Sequence, residues 1–211
     1  MTLASPPIEQ QFLLEDADWE LYEAILERVG DRHIFVTYDR GRLELMSPSY
    51  KHDKRGRRIA LIINILAEEL QIPIEGGGST TFRRQDLDKG LEPDECFYVQ
   101  NVNRIVGKSE IDLSLDPPPD LAIEVEISRR MIKRVPIYES MGVPEIWRDD
   151  GKQVRVFQLG TDGHYHQTEC SASFPMMPLE QIERLLELAN CMDQMNWTRT
   201  VRKWIRENLV R

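Results

Sequence analysis

The chain is poor in cysteine. Only Cys96, Cys170 and Cys191 occur among 211 residues. They lie far apart, their spacing fits no zinc motif, and an odd number argues against a disulfide framework. Free thiols in a reducing, cytoplasmic compartment are the expectation. Long apolar runs are missing too. The most apolar stretch, Leu61 to Leu70, is broken by Asn64, Glu68 and Glu69, so no membrane span is expected. The opening residues MTLASPPIEQQ lack the basic and apolar segments of a signal peptide. There is no internal repeat and no low-complexity tract. The one glycine cluster, Gly76-Gly77-Gly78, matches no phosphate-loop pattern and reads as a flexible turn. Positive charge is short overall: 27 Lys and Arg stand against 36 Asp and Glu, for a net charge of −9. Taken alone, that balance argues weakly against a polyanionic partner.

What is present is patterned. The length favours one α/β domain with a small helical tail and suffices for a sizeable core. Basic residues are concentrated in two places: Lys51, Lys54, Arg55, Arg57 and Arg58, and then Arg199, Arg202, Lys203, Arg206 and Arg211. Local patches matter more than the total for steering a charged partner.

Residues 1–14 read as a loose arm, 15–176 as the main domain and 177–211 as a helical segment. Helical spacing of apolar residues runs from Asp16 to Val29 and stops at Gly30. Strands are expected at His33–Tyr38 and Arg42–Met46 around an Asp39-Arg40-Gly41 turn. A long helix from Ser49, a plausible N-cap, ends near Leu70. Further strands are expected at Ser79–Phe82, Glu95–Val99, Leu121–Ile127, Glu145–Arg148, Gln153–Gln158 and His164–Thr168. A helix fills Arg130 to Met141, and two more, Leu179–Cys191 and Trp197–Leu209, finish the chain. This order predicts an α/β fold with a mixed sheet flanked by helices.

The chemistry is expected at acidic positions. Leu121, Ile123, Val125 and Ile127 share one strand face, which leaves Ala122, Glu124 and Glu126 on the other. Pro93-Asp94 precedes another strand. If the two strands pair, three carboxylates converge, and each raises the pKa of the others. A divalent cation relieves that cost: Mg²⁺ takes oxygen ligands and keeps waters, leaving room for a phosphate. The plain alternative is a half-exposed strand with one acidic face, and Glu-x-Glu alone favours it. Glu44, on the strand before the long helix, is either a fourth member of the cluster or an ordinary surface residue. The long helix opens with His52, Lys54, Arg55 and Arg58 and closes on Glu68 and Glu69, against the preference of the helix dipole. These side chains either hold a phosphate backbone or form a solvated face. For His52 a surface or capping role is the commoner one.

Taken in series, Glu44-Leu45-Met46-Ser47-Pro48, His52, Pro93-Asp94, Pro119-Asp120 running to Ser128, Ile137-Tyr138 and Gly142-Val143-Pro144-Glu145-Ile146-Trp147-Arg148 resemble the Uma-type family of restriction-endonuclease-like proteins. That family is abundant in cyanobacteria and looks like a branch of the PD-(D/E)XK superfamily. The resemblance runs from about residue 15 to 170. It implies a restriction-endonuclease-like core, Mg²⁺ (with Mn²⁺ as substitute) as cofactor, and DNA as substrate. It makes Asp94 and Glu124 metal ligands. Glu126 falls where the motif has its lysine, and it either orients the attacking water or marks a degenerate site. Lys133 or Arg134 would then supply the missing positive charge from a migrated position. Two readings remain: a magnesium-dependent endonuclease working as a homodimer, and a nuclease-fold protein that only binds DNA or scaffolds.

Overall fold

A computed structural model describes residues 9–210. Capping side chains set the helix starts. The Asp18 carboxylate accepts from the Leu21 amide, so α1 spans Trp19–Val29. Asp16, where apolar spacing placed the start, has a φ of 56°, which a right-handed helix does not contain. Ser49 accepts from the His52 amide and opens α2, Tyr50–Leu70, with the expected ends.

Two sheets follow from the strand ladders. The first holds β1 (Gln10–Leu14), β2 (Phe35–Asp39), β3 (Arg42–Ser47), β5 (Phe82–Arg84) and β6 (Lys89–Leu91) in the order β1-β3-β2-β6-β5. All its pairings are antiparallel. Arg40 and Gly41 turn the β2–β3 hairpin with φ of 49° and 85°, the left-handed geometry that suits strand twist. The loose arm expected over residues 1–14 is corrected for 10–14: this stretch is β1, with Phe12 opposite Leu45. Residues 1–8, and Arg211 of the C-terminal basic run, lie outside the described residues.

The second sheet holds β4 (Glu75–Gly76), β7 (Glu95–Tyr98), β8 (Leu121–Val125), β9 (Glu145–Asp149), β10 (Val154–Leu159) and β11 (Tyr165–Thr168) in the order β11-β10-β9-β8-β7-β4. Its single parallel pair is β8–β9, bridged by the crossover helix α4, Val135–Met141. The helix expected from Arg130 therefore starts five residues late. Residues 130–134 cannot join it because the Met131 and Ile132 amides are bonded to the Glu44 carboxylate. The remaining helices are α3 (Val102–Ile105), α5 (Leu179–Leu188) and α6 (Gln194–Asn208).

The core forms on both faces of the second sheet. Leu121, Ile123 and Val125 of β8 pack with Ile59 and Ile63 of α2 and with Trp197 and Val201 of α6. On the other face Ala122 and Ile146 meet Ile137 and Tyr138 of α4 and Phe82 of the first sheet. Helix α1 packs against the first sheet through Tyr22, Tyr38 and Leu43. Trp197 is fully buried and donates to the Leu185 carbonyl at 2.7 Å, so the C-terminal helix covers its own chain's core. No helix among the described residues is long and apolar enough to cross a membrane.

Candidate active site

Strand alternation sends the apolar residues of β8 toward α2 and turns Glu124 toward α4. The β7–β8 register pairs Glu95 with Ile123, which sets Asp94 opposite Glu124. The Asp94 amide donates to the Ile123 carbonyl at 3.2 Å, and Asp94 Oδ2 accepts from the Val125 amide at 2.6 Å. The Pro-Asp and acidic-strand segments thus meet as their order suggested. Glu44 arrives from β3 of the first sheet. Its Oε2 accepts from the Met131 and Ile132 amides at 2.6 and 2.8 Å, so it anchors the segment 127–134 across the other two acids. The side chains of all three acids are at most 4 % exposed.

Cations accompany them. Arg130 lies 3.4 Å from Asp94 Oδ1 and 3.9 Å from Glu44 Oε1. Arg134 lies 3.1 Å from Glu124 Oε2 and donates to the Glu92 carbonyl. Tyr138 donates its hydroxyl to Glu124 Oε1. His52 Nε2 stands 3.4 Å from Asp94 Oδ2. Burial pushes the Glu124 carboxyl up to about 7; Arg134 opposes the shift and Asp94 adds to it. Burial also pushes the Tyr138 hydroxyl well up, so it stays a donor. Burial works against the Arg134 charge, yet Glu124 beside it holds the guanidinium above its ordinary value.

The other expected positions divide. Glu126 does not share the Glu124 environment. Strand β8 ends at Val125, the Glu126 amide turns to the Asp149 carbonyl, and the side chain makes a two-point pair with Arg148 at 3.0 and 2.5 Å. Of the two candidate basic residues, Arg134 lies against Glu124, while Lys133 is exposed. The basic helix start needs correction. His52 is buried beside Phe35, between Asp53 and Asp94. Arg58 is buried with its guanidinium 4.4 Å over the Trp197 ring, and Arg55 pairs with buried Asp149. Only Lys54 of the four remains open to a phosphate, and the exposed cations beside it are Lys51 and Arg57. Sequence reasoning missed Arg130 and gave Tyr138 no role in the site. Tyr138 stands four residues after Arg134, one helical turn, which is the signal that links them to one acid. Nothing in the sequence points to Arg130, whose partner Glu44 sits on a different sheet.

The oxygen donors suit a hard cation. Glu44 Oε1 and Glu124 Oε2 are buried without a hydrogen-bond partner. No group of three or more His, Cys, Asp or Glu side chains among the described residues is set to hold a metal ion. The reason is visible: guanidinium groups stand between the acids, and two backbone amides occupy Glu44. Asp94 and Glu124 remain as a two-carboxylate set, which Mg²⁺ accepts when waters and phosphate oxygens complete its shell. Asp94 opens onto a cleft of about 510 Å³ lined also by His33, His52, Arg57, Ser79 and Glu95.

A family model described as "Uma2: Putative restriction endonuclease" matches residues 19–190, a span that contains every one of these side chains. The chain belongs to the Uma2 family. Among solved structures, a protein from Anabaena variabilis described as a "putative nuclease" superposes with a TM-score of 0.50 at 17% identity, over 72% of this chain and 90% of that one. At that identity the likeness speaks for the fold: the Uma2 chain has the mixed α/β architecture of a nuclease fold. No curated protein matches it significantly.

Proposed function

We propose that this Uma2 chain is a magnesium-dependent DNA endonuclease that hydrolyses phosphodiester bonds at Asp94 and Glu124. The observation that supports it most is the β7–β8 register, which sets these two buried carboxylates opposite one another. Buried acids kept this close are costly unless something cationic compensates them. Asp94 and Glu124 would hold the ion, whose chemistry is to lower the pKa of bound water and to stabilise charge on the phosphate. The protein's own groups do the positioning. The Val125 amide and His52 fix Asp94, and Tyr138 fixes Glu124. Arg134 takes the place of the motif's lysine charge. A guanidinium does not deprotonate in proteins, so it stabilises charge developing on the phosphate and leaves proton removal from water to another group. Glu126, neutralised by Arg148, is not that group.

The test is relaxation of supercoiled plasmid with Mg²⁺. Asp94→Asn and Glu124→Gln should each lower the rate by about 10²–10³-fold, the scale for losing one preorganised group. Cleavage that survives Asp94→Asn, or that ignores a chelator, rejects the assignment. One observation favours a second reading, a degenerate nuclease that only binds DNA: Arg130 and Arg134 already neutralise the acids. On that reading calorimetry detects no Mn²⁺ binding while duplex binding persists. We further propose a homodimer as the working form, since a two-fold pair of sites matches duplex symmetry. The proposed setting is the cytoplasm, where the exposed free thiols Cys170 and Cys191 stay reduced.

A further inference from the structure

A second cleft, about 810 Å³ in volume, shares no lining residue with the cleft at Asp94. Its walls are the segment 126–136 with Glu139 and Arg148. Five of these side chains are cationic: Arg129, Arg130, Lys133, Arg134 and Arg148. Its two acids are already engaged. Glu126 is bound by Arg148, and Glu139 accepts from the Tyr165 amide at 3.1 Å and faces His164. The spare charge of the cleft is therefore positive. Arg129 and Lys133 are exposed, and neither pairs with a carboxylate among the described residues. Deeper in, Arg134 Nε is buried without a hydrogen-bond acceptor, and Arg130 Nη1 has none nearer than Glu44 Oε1 at 3.9 Å. Each belongs to a guanidinium that also touches an acid of the candidate active site. Buried N–H donors left unpaired are costly, and a planar guanidinium fork matches the oxygens of a phosphate.

We infer that this cleft is a phosphate-binding site. On the endonuclease reading, on which this last step rests, it grips the nucleic-acid phosphate that flanks the one being cleaved. Arg130 and Arg134 connect the two positions, because each contacts an active-site carboxylate and lines the cleft. Arg129 and Lys133 close over the anion from the solvent side.

The test needs neither metal nor cleavage. Inorganic phosphate and the phosphodiester dinucleotide d(TpT) are titrated calorimetrically into the full chain. The double variant Arg129→Ala/Lys133→Ala changes only exposed side chains, and circular dichroism checks its fold. It should weaken phosphate binding at least about tenfold, the scale of one or two lost charge-assisted contacts. Arg28→Ala, on the exposed side of α1, should leave it unchanged. Equal affinity in the double variant, or an equal loss in Arg28→Ala, overturns the site. Binding of d(TpT) that weakens in parallel supports a backbone phosphate. Binding of inorganic phosphate alone supports the site and overturns its assignment to the backbone. A chain that binds phosphate here yet never cuts plasmid sinks the endonuclease reading and leaves this site standing.

Discussion

Arg134 concentrates the energetics of the site in one side chain. It is 2 % exposed, it faces Glu124, and it ties the Glu92 carbonyl to α4. Removing one partner of a buried ion pair strands the other, so Arg134→Ala should cost about 3–5 kcal/mol in a urea melt. Arg134→Lys keeps the charge, loses the fork and should cost less; a cost equal to that of the alanine variant would show that geometry, not charge, is what Glu124 needs. At this scale the sequence was informative about acids and less so about bases. That Asp94 and Glu124 come opposite one another was legible because Pro-Asp and strand alternation are local signals. Arg130 was not, because its partners come from β3 and from the turn before β7. His52 and Arg58 were placed on the correct helix but at the wrong depth. Periodicity gives the face a residue occupies; it does not say that Phe35 will cover one position or that Trp197 will lie against the other.

Helix α6 is fastened to α2 by more than its apolar face. Glu69 receives Arg202 at 2.5 Å and Arg206 at 2.6 and 3.0 Å. The Arg206 hydrogen bonds, with the one from Arg202, hold the Glu69 carboxyl below its ordinary value near 4.5 against a smaller burial penalty. A depressed carboxylate contributes its full stability above that ordinary value and loses it as pH falls through the lower folded value. Acidification below about 4.5 should therefore shift Trp197 fluorescence in the native chain. Glu69→Gln should lack that part of the response; identical acid titrations for the two proteins would remove the clamp. Trp197→Ala should cost about 3–5 kcal/mol at neutral pH, the range for deleting a buried aromatic. The long helices and most strands were readable from periodicity and caps; β1 and α3 were not, and neither was β6. Its Lys89-Gly90-Leu91 carries two weak strand formers. Gly90 is required because a Cβ there would fall 2.0 Å from the Tyr22 hydroxyl, and Lys89 is buried because Pro136 and Ser140 accept from it at 3.1 Å. Both reasons lie on other elements.

For the molecule as a whole, the expected mass in solution is twice the 24.7 kDa of one chain. Sedimentation equilibrium at micromolar concentration with Mg²⁺ decides this, and a single species at the chain mass would leave at most a nicking activity. The tryptophan-bearing face of α6 cannot be the joining surface, since Trp197, Val201 and Ile205 are spent on the chain's own core. The acids themselves come from two sheets that share no backbone ladder: Glu44 belongs to the first and Glu124 to the second. Neither ladder lends a strand to the other, and the cluster exists only once the two have docked. The site is in effect a proofreader of its own assembly. In a denaturant series, plasmid cleavage should vanish while far-UV dichroism still reports intact sheets; coincident midpoints would show the docking to be inseparable from the ladders. On the endonuclease reading, a copy that has begun to come apart, or has never quite come together, carries no working blade, and the DNA beside it is spared while it refolds.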